Sequence, residues 1–139
     1  MKTLGLRIQR QNINAMKVAK FLQKSTIVKR VNYPGLLSNP DHEIAKRQMS
    51  GFGGMLIFEL NADFDRTKMF MDHLKEIKLA TSLGGVTSLA TQPITNTHVG
   101  LTPENRSKAS VSESLVRLSV GIEDEMVLIN DLEQALAIV

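Results

Sequence analysis

The chain has 139 residues, 42% of them hydrophobic and 22% charged, the balance of an ordinary globular domain with room for a real core. Zero cysteines remove disulfides, zinc–thiolate sites and a cysteine nucleophile together. The net charge of +3 invites a nucleic-acid reading, but the basic residues are dispersed and the five Phe and one Tyr do not alternate with them, so no nucleic-acid partner is expected.

In chain order, Leu4, Ile8, Ala15, Ala19 and Leu22 recur at helical spacing and predict a first helix buried along that stripe. Arg7, Arg10, Gln11, Lys17 and Lys24 fall largely off it. Residues 27–31 read as a short strand closed by a Tyr33-Pro34-Gly35 turn. Asn39 then caps a second helix that has Pro40 at its first position and runs through Ile44, Ala45 and Gln48. Gly51-Phe52-Gly53-Gly54 precedes Met55-Leu56-Ile57-Phe58-Glu59-Leu60, an almost wholly apolar strand expected at the centre of a sheet. A glycine loop can cradle phosphate, but a strand rather than a helix follows here, so a sharp entry into the sheet explains it better.

The spacing of Phe64, Thr67, Phe70, Met71 and Leu74 predicts a third helix over 64–77, and residues 78–80 a short strand. After the small-residue loop Thr81-Ser82-Leu83-Gly84-Gly85, residues 86–91 read as another strand ended by Pro93. Thr102-Pro103-Glu104 repeats the cap-and-proline signature of a helix start. The final helix carries Met126, Ile129, Leu132 or Glu133, and Leu136 along one stripe. Together these elements give an α+β two-layer sandwich, a mostly antiparallel sheet of four or five strands with helices mainly on one face. No apolar run reaches the roughly 20 residues of a membrane helix, and no signal-peptide core opens the chain, so a cytoplasmic protein without a membrane partner is expected.

The most informative stretch is Leu115-Val116-Arg117-Leu118-Ser119-Val120-Gly121. Its period of two places Leu115, Arg117 and Ser119 on one face and an aliphatic row on the other. Glu123, Asp124 and Glu125 follow where a helix start favours negative charge. A mid-strand guanidinium can be a solvated side chain on an open face, or it can grip a carboxylate through two parallel hydrogen bonds. His42, His73 and His98 lie in different elements without metal-site spacing, and no nucleophile elbow or kinase-type motif is present. From the residues alone, Arg117 and the loop 81–85 make a binding surface for an anion. They do not make a complete active site.

Tyr33-Pro-Gly-Leu, Ala45-Lys-Arg-Gln-Met, Gly51-Phe-Gly-Gly-Met-Leu-Ile-Phe-Glu-Leu60, Ser82-Leu-Gly-Gly, Thr97-His98 and Leu115-Val-Arg-Leu-Ser-Val-Gly-Ile-Glu-Asp124 occur in this order over nearly the whole chain. This pattern resembles the C-terminal domain of the cysteine/methionine metabolism enzymes that use pyridoxal 5'-phosphate, including cystathionine γ-lyase, cystathionine γ-synthase and methionine γ-lyase. The resemblance implies that residues 1–139 form the small C-terminal domain of a fold-type I enzyme whose N-terminal, coenzyme-binding domain is missing. It implies a sulfur-containing amino acid as substrate and a homo-oligomer, a tetramer in the family, with weak self-association for this segment. By the same resemblance Arg117 takes the substrate carboxylate, while Ser82 (in part through its backbone) and Leu83 line the substrate and cofactor side of the cleft. No lysine matches the family's Schiff-base setting, so no catalytic, coenzyme-binding or metal-binding residue is expected here. The segment alone is then expected to be inactive and free of coenzyme. A stand-alone, non-catalytic interaction module derived from the family is the alternative. Many γ-lyase-like members carry Glu where this chain has Thr87, which leaves elimination, replacement and sulfhydrylation all open.

Overall fold

The computed structural model describes residues 2–96, 100 and 111–139. His98 and the helix expected after Thr102 lie outside them. Among the described residues, four helices and five strands follow in the order α1 (Leu4–Lys24), β1 (Val28–Asn32), α2 (His42–Gln48), β2 (Met55–Leu60), α3 (Phe64–Asp72), β3 (Lys78–Leu79), β4 (Leu89–Thr91), β5 (Leu115–Ser119) and α4 (Glu125–Leu136). A 3-10 turn, Pro93–Thr95, follows β4.

The sheet runs in the order β1-β2-β5-β4-β3. All neighbours are antiparallel except the parallel β3/β4 pair. The expected mostly antiparallel α+β sandwich is therefore present. Strand β2 is paired on both sides, as its apolar composition requires, but the middle place belongs to β5.

Leu56 lies opposite Leu118, and Phe58 opposite Val116, so the even positions of β2 and β5 share one face. That face joins Ala15, Val18, Ala19 and Leu22 of α1, Phe70 of α3, and Leu128, Leu132 and Ala135 of α4 in a single buried core. Phe58 and Phe70 meet edge to face, with ring centroids 5.9 Å apart. Each such side chain, fully removed from water, stabilises the fold by about 1.5–3 kcal/mol. The opposite face carries Met55, Ile57 and Glu59 from β2, Arg117 and Ser119 from β5, and Leu89 and Thr91 from β4.

Several expectations are corrected. In α1 the buried stripe begins at Gln11 and Asn14, which are almost wholly inaccessible, whereas Leu4 and Ile8 stand exposed. Helix α3 stops at Asp72 rather than continuing to residue 77, because the backbone amides of Lys75, Glu76 and Ile77 all donate to the Asp131 carboxylate instead of to an earlier turn. In α4 the buried side chains are Leu128, Asp131, Leu132, Ala135 and Leu136, so Leu132 and Leu136 face inward as expected while Met126 is exposed and Ile129 only half-buried. Asn39 does accept from the amide of Asp41, 2.9 Å away, but the regular helix starts only at His42.

Candidate functional site

Arg117 is the third residue of β5, opposite Ile57 on one side and Thr91 on the other. It is half-buried, and its Nη2 donates to the backbone carbonyl of Thr81. A guanidinium carries five N–H donors, so four remain. Beside it lies a shallow cavity of about 260 Å³ lined by Asn32, Pro34, Met55, Leu56, Ile57 and Arg117. An arginine anchored through one donor and facing an open cavity with the rest fits a carboxylate.

The loop that supplies Thr81 is the one the sequence singled out. It crosses the Arg117 face and is stitched down along its length. Gly84, whose φ of +73° suits only a residue without a Cβ, donates its amide to Ser119 Oγ at 3.1 Å. Gln11 Nε2 reaches from α1 to the Gly85 carbonyl at 2.7 Å. The Ile122 amide donates to the Val86 carbonyl at 2.9 Å. At the far end, Glu123 accepts from both the amide and the hydroxyl of Ser88, and the Ser88 oxygen accepts from the Gly121 amide at 2.8 Å. Asn14 Nδ2 closes this corner on the carbonyls of Gly121 and Glu123, at 3.2 and 2.8 Å.

Of the expected site residues, Arg117 alone lines the cavity. It touches Thr81, and Ser82 and Leu83 follow directly in the chain as exposed residues, Leu83 with 58% of its surface open. The Ser82 hydroxyl makes no hydrogen bond among the described residues. Strand β4 starts only at Leu89, not residue 86, because Val86 and Ser88 are committed to Ile122 and Glu123. Glu123 itself does not serve the first turn of α4. Asp124 is the cap there, accepting from Met126 at 2.8 Å, with Glu125 behind it.

Sequence reasoning missed Gln11, Asn14, Ser88 and Glu123. They are buried or half-buried polar groups whose partners lie 33 to 109 residues away, and no local pattern marks them. Ser119 was placed on the correct face, yet it is only 3% exposed because the loop covers it.

On the same face, Glu59 is bound by Arg30 at 2.7 Å and Lys29 at 3.2 Å. Burial pushes its carboxyl up, but hydrogen bonds from Ser112 and Lys29 and the charges of Arg30 and Lys29 outweigh that and hold it below the ordinary 4.5. Those two cations are therefore committed, and Arg117 is the cation that lines the cavity.

None of the residues lining that cavity is a lysine or a phosphate-binding loop. A second concavity, about 380 Å³ between α3 and the β3/β4 edge, contains Lys68, but Asp72 holds that amine at 2.6 Å. The Arg117 cavity suits a carboxylate, and neither of these two concavities offers an unpaired amine to an aldehyde coenzyme. Among the described residues no group of three His, Cys, Asp or Glu side chains is placed to hold a metal ion, and no helix is long and apolar enough to cross a membrane.

Comparison with known proteins identifies the family. Cystathionine gamma-lyase of Dictyostelium discoideum is 46% identical over 136 residues, which cover 98% of this chain and 35% of that protein. A cystathionine beta-lyase of Lactococcus lactis subsp. cremoris (strain MG1363) is 47% identical over 98% of this chain and 36% of its own length. The crystal structure of cystathionine gamma synthase from Xanthomonas oryzae pv. oryzae, in complex with aminoacrylate and cysteine, superposes with a TM-score of 0.93 at 40% identity, covering 98% of this chain and 35% of that one. The chain spans about a third of the length of these relatives. The family model for Cys/Met metabolism PLP-dependent enzymes matches residues 1–137, and the chain belongs to that family.

Proposed function

We propose that this chain forms the substrate-carboxylate side of a pyridoxal-phosphate-dependent carbon–sulfur lyase or transsulfuration enzyme, with Arg117 holding the α-carboxylate of a sulfur-containing amino acid. The observation that carries the reading is the Arg117 fork, fixed at one nitrogen by Thr81 and otherwise free beside an open cavity. Relatives named for cystathionine and L-methionine support an α-amino acid as the ligand class. The coenzyme supplies the electron sink for carbanion chemistry when a coenzyme-bearing domain is joined to this one. The residues described here bind and orient. Arg117 fixes the carboxylate by two parallel bonds and so sets the direction of the Cα–H, while the lip at Ser82 and Leu83 borders the remainder of the substrate.

The test is steady-state kinetics on an enzyme in which residues 1–139 replace the matching segment of the Dictyostelium discoideum cystathionine gamma-lyase. Arg117→Ala is expected to lower kcat/KM by about 100-fold or more, roughly 3 kcal/mol, because a carboxylate loses its charged partner in a partly dehydrated site. Arg117→Lys keeps the charge but loses the fork and is expected to fall between. Both variants should melt within about 2 °C of the parent, since the side chain leaves the core face untouched. Near-normal kcat/KM in Arg117→Ala sinks the carboxylate role. A graft that folds and binds coenzyme but turns over nothing favours the non-catalytic interaction module.

A further inference from the structure

We infer that Ser119 and Gln11 are positioning residues for the Arg117 fork, acting through the Gly84–Gly85 turn. This inference rests on the carboxylate reading of Arg117. The two side chains take the same turn from opposite sides, Ser119 accepting the Gly84 amide and Gln11 donating to the Gly85 carbonyl. Both are buried, at 3% and 2% exposure, and neither lines the cavity beside Arg117. Ser119 stands two residues beyond Arg117 on the same strand face, so the bond to Gly84 and the bond from Arg117 to Thr81 tie one short loop to one strand at two adjacent points.

The geometry makes the loop and the fork one mechanical unit. The Thr81 carbonyl orients the guanidinium plane, and the Gly84–Gly85 turn fixes where that carbonyl lies. Release of the turn leaves Arg117 charged and present but with its plane free to rotate, which forfeits the two-bond geometry before it forfeits attraction. Gln11 packs against Gly54, where an added Cβ would lie 3.1 Å from Gln11 Cβ. The site therefore extends from the sheet face into α1.

The experiment is a titration of the isotopically labelled chain with L-methionine, followed at the Ser82 and Gly84 amides by NMR, with L-methioninol as the control lacking a carboxylate. Wild type is expected to show a saturable, carboxylate-dependent response. Ser119→Ala and Gln11→Met are each expected to weaken it about fivefold with little change in melting temperature, and Ser119→Thr, which keeps the acceptor, to restore it to within about twofold. Arg117→Ala should abolish it. No difference between L-methionine and L-methioninol in the wild-type chain overturns the carboxylate reading itself. Loss in Arg117→Ala with wild-type affinity in both Ser119→Ala and Gln11→Met overturns the positioning role and leaves that reading standing. Collapse of the fold in both variants also overturns it, because the residues would then be structural supports.

Discussion

Two short connections flank strand β3, and they are pinned in opposite ways. The one before it, residues 73–77, is held chiefly by one carboxylate: Asp131, 4% exposed, accepts from three consecutive amides between 2.9 and 3.0 Å, and Gln134 adds one bond to the His73 carbonyl. The one after it, residues 81–87, is held by groups from β5, the β5–α4 turn and α1, one bond at each of several points. A turn with only a structural duty can be closed by one strong group, the way a carboxylate fills a nest of amides. A loop that must present a surface needs its position fixed at several points while leaving some residues exposed, and here the exposed ones are Ser82 and Leu83. The difference separates stability from site geometry, and it can be broken by mutation.

The largest effect is expected at the structural turn. Asp131→Ala leaves three amides without their partner, that of Ile77 buried, and should cost about 3 kcal/mol. For a domain of this length that lowers Tm by roughly 10 °C, measured by differential scanning calorimetry. The folded fraction should still give a carboxylate-dependent NMR response within about twofold of wild type, since nothing at Arg117 depends on that turn. A small Tm change with a large loss of response would invert the comparison.

Gly121→Ala should show the opposite balance. An added Cβ would press on the Val86 carbonyl and lie 2.7 Å from the Ser88 amide, both backbone atoms that cannot simply rotate away. Displacing that end of the loop is expected to cost about 2 kcal/mol in stability and to weaken carboxylate binding severalfold. Unchanged binding would show that the loop can slide without disturbing Arg117.

The smallest effect separates charge from hydrogen-bond geometry on the same sheet face. The Glu59 carboxyl is held below its ordinary value in the fold, so its contribution is present above the unfolded carboxylate range and is lost as pH falls through the folded value. Glu59→Gln should therefore lower Tm by about 3 °C at pH 7, roughly 1 kcal/mol, and that gap should close toward about pH 3. A gap that persists in acid would mean that Glu59 acts by shape, not charge.

Much of this architecture was legible in local sequence. Strand β5 follows from its period of two between Leu115 and Ser119, and β2 from its almost wholly apolar run. Arg117 stood out as a cation opposite an aliphatic row, but the pattern alone fitted a solvated side chain, and only the family resemblance of the Leu-Val-Arg-Leu-Ser-Val stretch implied a role for it. The errors share one physical cause. The pattern from Phe64 to Leu74 continues past Asp72, but the amides that would extend α3 are captured by Asp131, more than fifty residues on. Residues 86–88 have strand-like composition, yet Glu123 and Ile122 claim them. Thr81 and Arg117 are 36 residues apart, and no periodicity within either segment announces their bond.

The two ends of the sheet have a consequence for handling this protein. Strand β1, at one end, carries a register irregularity between Val28 and Arg30 and the exposed cations Lys29 and Arg30. At the other end β3 is only two residues long. A bulge, charged side chains and a very short border strand are the features that stop a second chain from adding its own strand in register. Runaway strand-by-strand polymerisation is thereby discouraged among the described residues, and the millimolar samples that a weak titration demands are within reach.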